Sequence, residues 1–342
     1  MAAASNLWLA TVIPVLNEEQ HIGDCLASLI SQTLAPSEHM ILVLDGGSID
    51  STVSIVNEKI AESKRKSGPN ILLLHNEGRF VPHARNMALV SLPSEVTHIL
   101  EYNGHIKSKS NHLEQLKSEW GHFAQQYPTI AALGCKVVGS SKKNTLVESF
   151  IDETLQNPLG GGPGQFSTFS DAGETKTPAF ALHLRSALEK VHGWDEKFIT
   201  SQDSDLSMRL LKEGFSLYRT PHITVEMKRR TTLSSWYLMS HRYGFWRTKV
   251  LLKHPSRVVM REFLPLLGTI LTLGLFLINP QWGLIPLISY TFVLLLSGLL
   301  SSRRGLLNIV GVPLCLLILH IGFTLGLLDG CLRKGRASRD RS

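Results

Sequence analysis

This 342-residue chain has few cysteines, and none are paired in sequence. Cys25, Cys135, Cys315 and Cys331 are scattered, with no CxxC and no metal-ligand spacing. That argues against a disulfide framework and suits a reducing compartment. The amino terminus, MAAASNLWLATVIP, lacks a basic n-region, so no signal peptide is expected and the first domain should stay cytosolic. No GxGxxG follows the first apolar run, which disfavours a dinucleotide-dependent oxidoreductase. No Lys-Ser/Thr follows the glycines of residues 160–164, which disfavours a phosphate-cradling loop. Zinc spacings and RNP-like motifs are also missing, so nucleic acid is not an expected partner.

Charge is missing in two different ways. Residues 263–302 contain no charged residue at all. The 40-residue stretch can hold two membrane spans of roughly 20 residues each, broken at Asn279-Pro280-Gln281. Residues 305–328 form a third apolar stretch whose one titratable residue is His320. A buried core hairpin is the alternative reading, but core helices seldom run so long without charge. Acidic residues are missing from 228–260, which hold eight Lys+Arg. Net charge is −6 over residues 1–227 and +13 over 228–342. The high pI therefore describes a mildly acidic domain joined to a basic, apolar tail. The positive-inside rule puts residues 228–261 and Arg303-Arg304 in the cytoplasm, as expected of a two-span hairpin. The basic tail after Arg333 calls for the same side, yet three full spans would put it outside. A re-entrant or interfacial segment would resolve the conflict, and the third stretch, with Gly311 and Pro313, is the candidate. The expected division is a cytosolic domain (1–227), a basic interfacial helical segment (228–261), two or three membrane helices (262–330) and a basic tail (331–342).

What is present in the first half alternates strand and helix. Leu9–Pro14 and Met40–Leu44 are apolar, β-branched runs that predict buried strands. Asn17-Glu18-Glu19 opens a helix near Gln20–Gln32, and Gly46-Gly47-Ser48 is a turn after Asp45. Further strands are expected at 71–75, 97–102 and 130–138, and helices at 81–92, 111–126, 185–191 and 205–213. Gly214 would end the last of these helices. Strand, polar turn and helix in repetition predict a mostly parallel sheet with helices on its faces, and ligands beyond the strands' carboxyl ends. Pro14–Asn17 and Asp45–Ser48 lie at such ends, although Asp45 could equally cap its turn. Residues 157–173 are Gly-rich and aperiodic, either a loop at the mouth of a site or a plain linker.

Two motifs carry a resemblance. TVIPVLNEEQHIGDCLASLISQTLAPSEHMILVLDGGSIDST (11–52) resembles the opening of a family 2 glycosyltransferase of the GT-A type. GWDEKFITSQDSDLSMRLLKEGF (193–215) resembles that family's catalytic-base segment. NEGRFVPHARNMAL (76–89), the Gly160–Gly164 loop and the run Arg230, Leu233, Trp236, Arg242-Tyr243-Gly244, Trp246, Lys253-His254-Pro255 are similar to membrane-bound succinoglycan-type exopolysaccharide glucosyltransferases. The resemblance covers roughly residues 8–257. It implies an α/β, Rossmann-like GT-A domain followed by membrane helices, and an inverting transfer from a nucleotide-sugar, a UDP-sugar, to a lipid-linked or polysaccharide acceptor. It also implies attachment to the inner (plasma) membrane, with the catalytic domain on its cytoplasmic face. Asp45 is implied to contact the base or ribose, with Pro14, Asn17 and Glu18 lining that pocket and Arg85 approaching the phosphates. Asp203 takes the place of the base, and Arg230 and Arg242 meet the diphosphate or the acceptor.

The chemistry explains these residue types. Displacing a nucleoside diphosphate builds negative charge that arginines or a metal stabilise. The attacking hydroxyl needs a carboxylate to take its proton, worth roughly 10²–10⁴ in rate.

The departures concern charge. The family's metal-binding acidic motif falls on Asn103-Gly104-His105, so a carboxylate has become an amide. A divalent cation, Mn²⁺ or Mg²⁺, is then in question, with His105 a ligand better suited to Mn²⁺. Gln202 stands where the family has Glu, and Met239 where a Gln precedes the Arg-Tyr pair. A catalytically impaired nucleotide-sugar-binding partner of a polysaccharide assembly is the competing reading. Each residue also has a plain structural reading. Asp203 could cap a helix, and Asp205 could be a first-turn carboxylate. His105 could be an ordinary strand-end residue and Arg85 a surface helix residue. Arg230 and Arg242 could belong to a solvated or lipid-facing basic face.

Overall fold

A computed structural model describes residues 6–161, 169–301 and 305–333. In chain order the elements are β1 (Leu9–Val15), α1 (Ile22–Ile30), β2 (His39–Asp45), α2 (Thr52–Arg65), β3 (Asn70–His75), α3 (Val81–Ser91), β4 (His98–Glu101), β5 (Ile106–Ser108), α4 (His112–Gln126) and β6 (Ile130–Gly139). They continue with α5 (Leu146–Gln156), β7 (Gly173–Glu174), β8 (Leu182–Leu184), α6 (Arg185–Lys190), α7 (Gln202–Lys212) and β9 (Ser216–Met227). Four long helices follow: α8 (Leu233–Lys253), α9 (Leu264–Ile278), α10 (Pro280–Ser301) and α11 (Asn308–Leu332).

The chain divides into two compact units. One holds residues 1–140 and 169–228, the other 141–168 and 229–342. The continuous 1–227 block expected from sequence is thus interrupted, because α5 belongs with the carboxyl-terminal helices. The physical reason is its apolar face: Ile151 and Leu155 are buried with Trp236 of α8 and Cys315 of α11.

In the first unit nine strands form one sheet, ordered β3-β2-β1-β4-β8-β6-β9-β5, with β7 on β9. Strands β3, β2, β1 and β4 pair in parallel. All seven residues of β2 are buried, as expected of a parallel strand covered on both faces. Beyond β4 the sheet is mixed. β8 runs antiparallel to both β4 and β6, and β5 antiparallel to β9. The parallel expectation therefore describes the amino-terminal half, where β1, β2 and β3 are each followed by a helix that carries the chain back. Ala10, Val12, Leu42, Ala84, Ile99, Leu188 and Trp194 are part of its core.

In the second unit α9, α10 and α11 fall in segments long and apolar enough to cross a membrane (residues 260–278, 280–301 and 308–332). Helix α5 opens with a capping box, Thr145 Oγ1 accepting from the Glu148 amide while Glu148 accepts from the Thr145 amide. Arg303, Arg304 and the tail after Arg333 lie outside the described residues, as do 162–168 of the Gly-rich segment.

Candidate active site

The parallel strands bring three sequence motifs to one edge of the sheet. β1 ends at Val15, β2 at Asp45 and β4 at Glu101, so residues 17–18, 45–48 and 103–105 emerge side by side. Asn17, with φ 54, turns the chain through the left-handed region that Asn tolerates better than most side chains. Its amide donates to Ser48 Oγ at 2.9 Å, and its Oδ1 accepts from the Ile49 amide at 2.9 Å. Glu18 and Glu19 donate their amides to Thr52 Oγ1 and Asp50 Oδ2. The first two motifs are thus one interlocked structure.

Asp45 is buried, and its carboxylate accepts from the amides of Gly47 and Ser48 at 3.1–3.2 Å. It caps the turn, as the plain structural reading has it. Both glycines are required: Gly47 has φ +86, and a Cβ on Gly46 would stand 2.5 Å from the Arg79 carbonyl. Pro14 pairs with Leu44 one residue before the strand ends.

The third motif meets the first through Glu18, whose Oε1 lies 3.0 Å from His105 Nδ1. Gly104 allows the approach, since a Cβ there would sit 3.2 Å from Glu18 Cγ. The Asn103 carbonyl accepts from Cys25 Sγ and from the Ile106 amide.

Behind the edge lies a buried polar cluster that sequence reasoning missed. Glu101 Oε1 stands 3.1 Å from Arg85 Nη1 and 3.3 Å from His183 Nε2, and accepts from Trp194 Nε1 at 3.1 Å. Burial pushes the Glu101 carboxyl up, but Arg85, His183 and the Trp194 donor outweigh it and hold the pKa at about 2. Arg85 is therefore neither a surface residue nor open to a ligand: it is 4% exposed and committed to Glu101. Asn86, next to it, exchanges hydrogen bonds with the Trp194 amide and carbonyl at 2.8 Å each. The Ala-Arg-Asn and Gly-Trp-Asp motifs are thus mutual partners. His183 carries no sequence signal.

This docking positions α7. Arg209 donates from its guanidinium to the carbonyls of Val191 and Gly193, and its Nε to Asp205, which is fully buried. Asp205 is thereby a structural first-turn carboxylate. Ser201, in the left-handed region at φ 60, occupies the cap position. Asp203 lies within the first turn, not at the cap. It is partly exposed, with Oδ1 accepting from the Ser204 amide at 2.8 Å. Gly214 ends the helix as expected: its amide donates to Leu211, and that of Phe215 to Leu210.

Residues 11–97 match the family described as Glycosyl transferase family 2. The chain is a glycosyltransferase, similar to family 2 over this stretch. It is 23% identical over 338 residues to a dolichyl N-acetyl-alpha-D-glucosaminyl phosphate 3-beta-D-2,3-diacetamido-2,3-dideoxy-beta-D-glucuronosyltransferase of Methanococcus voltae, covering 95% of this chain and 98% of that one. It is 26% identical over 274 residues to the succinoglycan biosynthesis protein ExoA of Rhizobium meliloti (strain 1021), covering 79% and 78%. The fold is GT-A-like. A mannosyltransferase of Pyrobaculum calidifontis, solved with GDP-Man and Mn²⁺, superposes with a TM-score of 0.61 at 16% identity, over 95% of this chain and 87% of that one.

The donors at the third motif fit a divalent cation only in part. His105 Nδ1 faces Glu18, an arrangement in which a carboxylate orients an imidazole that could ligate through its other nitrogen. Among the described residues, however, no group of three His, Cys, Asp or Glu converges. Arg230 and Arg242 belong to the second unit. Arg242 lies 6.0 Å from the ring of Tyr243, in α8.

Proposed function

We propose that this glycosyltransferase is a membrane-attached, inverting enzyme. It moves a sugar from a nucleotide-sugar, a UDP-sugar, to a lipid-linked or polysaccharide acceptor in exopolysaccharide or cell-surface glycan synthesis. The observation that carries this reading is the single edge on which Asn17–Glu18, Asp45 and Asn103–His105 interlock beyond the strand ends, where nucleotides sit in open α/β sheets. The acceptor class is supported by the Methanococcus relative, whose name gives a dolichyl-phosphate-linked sugar as acceptor and a β linkage. The ExoA relative supports a place in polysaccharide synthesis.

In the proposed mechanism Pro14, Asn17, Glu18 and Asp45 hold the nucleoside. The polar turn supplies the hydrogen bonds, and Asp45 keeps lone pairs beyond the two amides it accepts. Arg85 acts from behind, fixing Glu101 and hence the end of β4. The acceptor hydroxyl gives its proton to Asp203 as its oxygen bonds to the anomeric carbon. The bond from that carbon to the phosphate oxygen breaks, and the electron pair leaves with the nucleoside diphosphate. One base and no covalent intermediate invert the centre. Arg230 and Arg242 meet the charge on the leaving diphosphate. A cation bound at His105 would supply further charge neutralisation there. The domain works at the cytoplasmic face of the inner membrane.

Transfer by purified membranes over a panel of nucleotide-sugars, with and without Mn²⁺, tests the reading. Binding of a nucleotide-sugar with no hydrolysis and no transfer to any acceptor would favour the second reading. That reading is a binding partner impaired by Asn103 and Gln202 where the family has carboxylates.

A further inference from the structure

A charged cleft lies beside the third motif, in the first unit. His21 and Asp24 line it from the turn after β1 and from α1, His105 and Lys107 from the start of β5, and Glu226 and Lys228 from the end of β9. The sheet brings them together. Strand β5 runs antiparallel to β9 with Ile106 opposite Met227, so His105 and Lys228 stand one step further out on adjacent strands. On the other side the His21 amide donates to the Glu18 carbonyl at 2.9 Å. The turn that aims Glu18 at His105 thus also fixes His21.

The charges lining the cleft are not equivalent. Lys107 Nζ lies 2.5 Å from Asp24 Oδ2, so its charge is met within the protein. Glu18 and His105 face each other at 3.0 Å. Glu226, opposite Lys107 in the register of β5 on β9, is engaged as well. Lys228 differs from all of these. Its Nζ stands 3.4 Å from His21 Nδ1, its one hydrogen-bond partner among the described residues, and no carboxylate among them pairs with it. An ammonium only donates, so His21 accepts as a neutral imidazole, which cancels no charge and takes one of three protons. Lys228 is therefore a partly buried cation, held in place by an uncharged partner and aimed at the strand ends.

We infer that Lys228 is a diphosphate-binding residue, and that its ammonium meets the donor's diphosphate beside residues 103–105, where the family has its metal-binding acidic motif. The inference rests on the nucleotide-sugar reading of the site. With the nucleoside held at Asn17 and Asp45, the phosphates reach the neighbouring strand end, that of β4, which leads into Asn103. The amide of Asn103 draws a divalent cation less than a carboxylate does, and among the described residues no three His, Cys, Asp or Glu converge. A fixed ammonium supplies positive charge at the same place. The amide and the lysine belong together, because a carboxylate at residue 103 with no cation beside it would repel the phosphate. As the bond from the anomeric carbon to the phosphate oxygen breaks, the electron pair leaves with the diphosphate. Lys228 neutralises that charge and keeps its own protons, with His21 as its positioning residue.

The test titrates the detergent-solubilised full chain with UDP and with uridine, in chelator and in Mn²⁺. Lys228→Met keeps an unbranched stem and removes the charge. It should weaken UDP binding about 10- to 100-fold, the value of a hydrogen bond to a charged group, and leave uridine binding within about twofold. Lys228→Arg keeps the charge and should hold UDP affinity within about fivefold of wild type. Equal UDP affinity in wild type and Lys228→Met would overturn the inference. So would a wild-type UDP affinity that collapses in chelator and returns with Mn²⁺, because a metal would then carry the charge. A parallel loss of uridine binding in Lys228→Met would reduce the lysine to a structural role and overturn it too. A wild type that binds neither UDP nor uridine would overturn the nucleotide-sugar reading itself, and the inference with it.

Discussion

The two compact units hold themselves together in different ways. In the first, polar side chains do the fastening: Asn17, Asp45 and Asp50 accept from backbone amides near the strand ends, and Glu101 accepts from the Trp194 indole. In the second, Gly322, Gly326 and Gly330 let helix backbones touch, and Trp236, Thr248 and Lys249 of α8 donate to carbonyls of α11. Polar locks suit a site that must present charge to a ligand, because each lock is directional and fixes the next residue's position. Glycine stripes suit helices whose surroundings are as apolar as themselves, where close packing rather than burial from water drives association. The difference teaches where substitutions should hurt function and where they should hurt assembly.

The largest expected effect separates chemistry from either kind of lock. Asp203→Asn should lower transfer by at least ~10²-fold, the minimum for loss of a general base, while nucleotide affinity stays nearly unchanged. A variant that keeps more than about a tenth of the rate would remove Asp203 from the mechanism.

Next is the polar lock itself. Glu101→Gln leaves Arg85 without its buried counter-charge, so the first unit should lose about 3–5 kcal/mol in denaturant titration. The carboxyl is held at about 2 against an ordinary 4.5. Its contribution is therefore complete above about pH 4.5 and fades as pH falls toward 2. Wild-type stability should drop through that window, and the variant's should drop less. Equal acid sensitivity in both proteins would place the burden on other carboxylates.

A smaller effect is expected at the ligand edge. Asp45→Ala should weaken nucleotide binding by roughly 1.5–3 kcal/mol, the value of a charge-assisted hydrogen bond, with the fold preserved. Unchanged affinity by calorimetry would put the pocket elsewhere.

In the second unit Gly326→Val should cost about 1–3 kcal/mol by overpacking against α8, seen as a lower melting temperature of the detergent-solubilised chain. Calorimetric nucleotide affinity should be unaffected, which sharpens the contrast between the units. Loss of binding with intact melting would contradict it.

The smallest effect concerns metal. With an amide at Asn103 and one imidazole, chelation should change wild-type transfer little, and Asn103→Asp should strengthen any response to Mn²⁺. Complete loss of wild-type activity in chelator, restored by Mg²⁺, would be the contrary result.

Much of this molecule is set by local pattern. β-branched apolar runs specify β1 and β2, uncharged stretches specify α9 and α10, and Gly214 specifies the end of α7, because each depends on residues adjacent in sequence. Asn17, Asp45 and His105 were visible as strand-end residues for the same reason. Helix α5 had a local signal as well, Thr145 and Glu148 at capping-box spacing, yet no pattern in its own sequence tells that its apolar face is covered by Trp236 of α8 and Cys315 of α11. Tertiary structure alone decided that Arg85 turns inward to Glu101, that Asp203 sits one turn-position inside its helix, and that α11 runs beside α8. For Arg85 and for α11 the partner is distant in the chain. A buried charge finds its counter-charge, and a glycine its neighbouring backbone, only when the whole fold has closed around it.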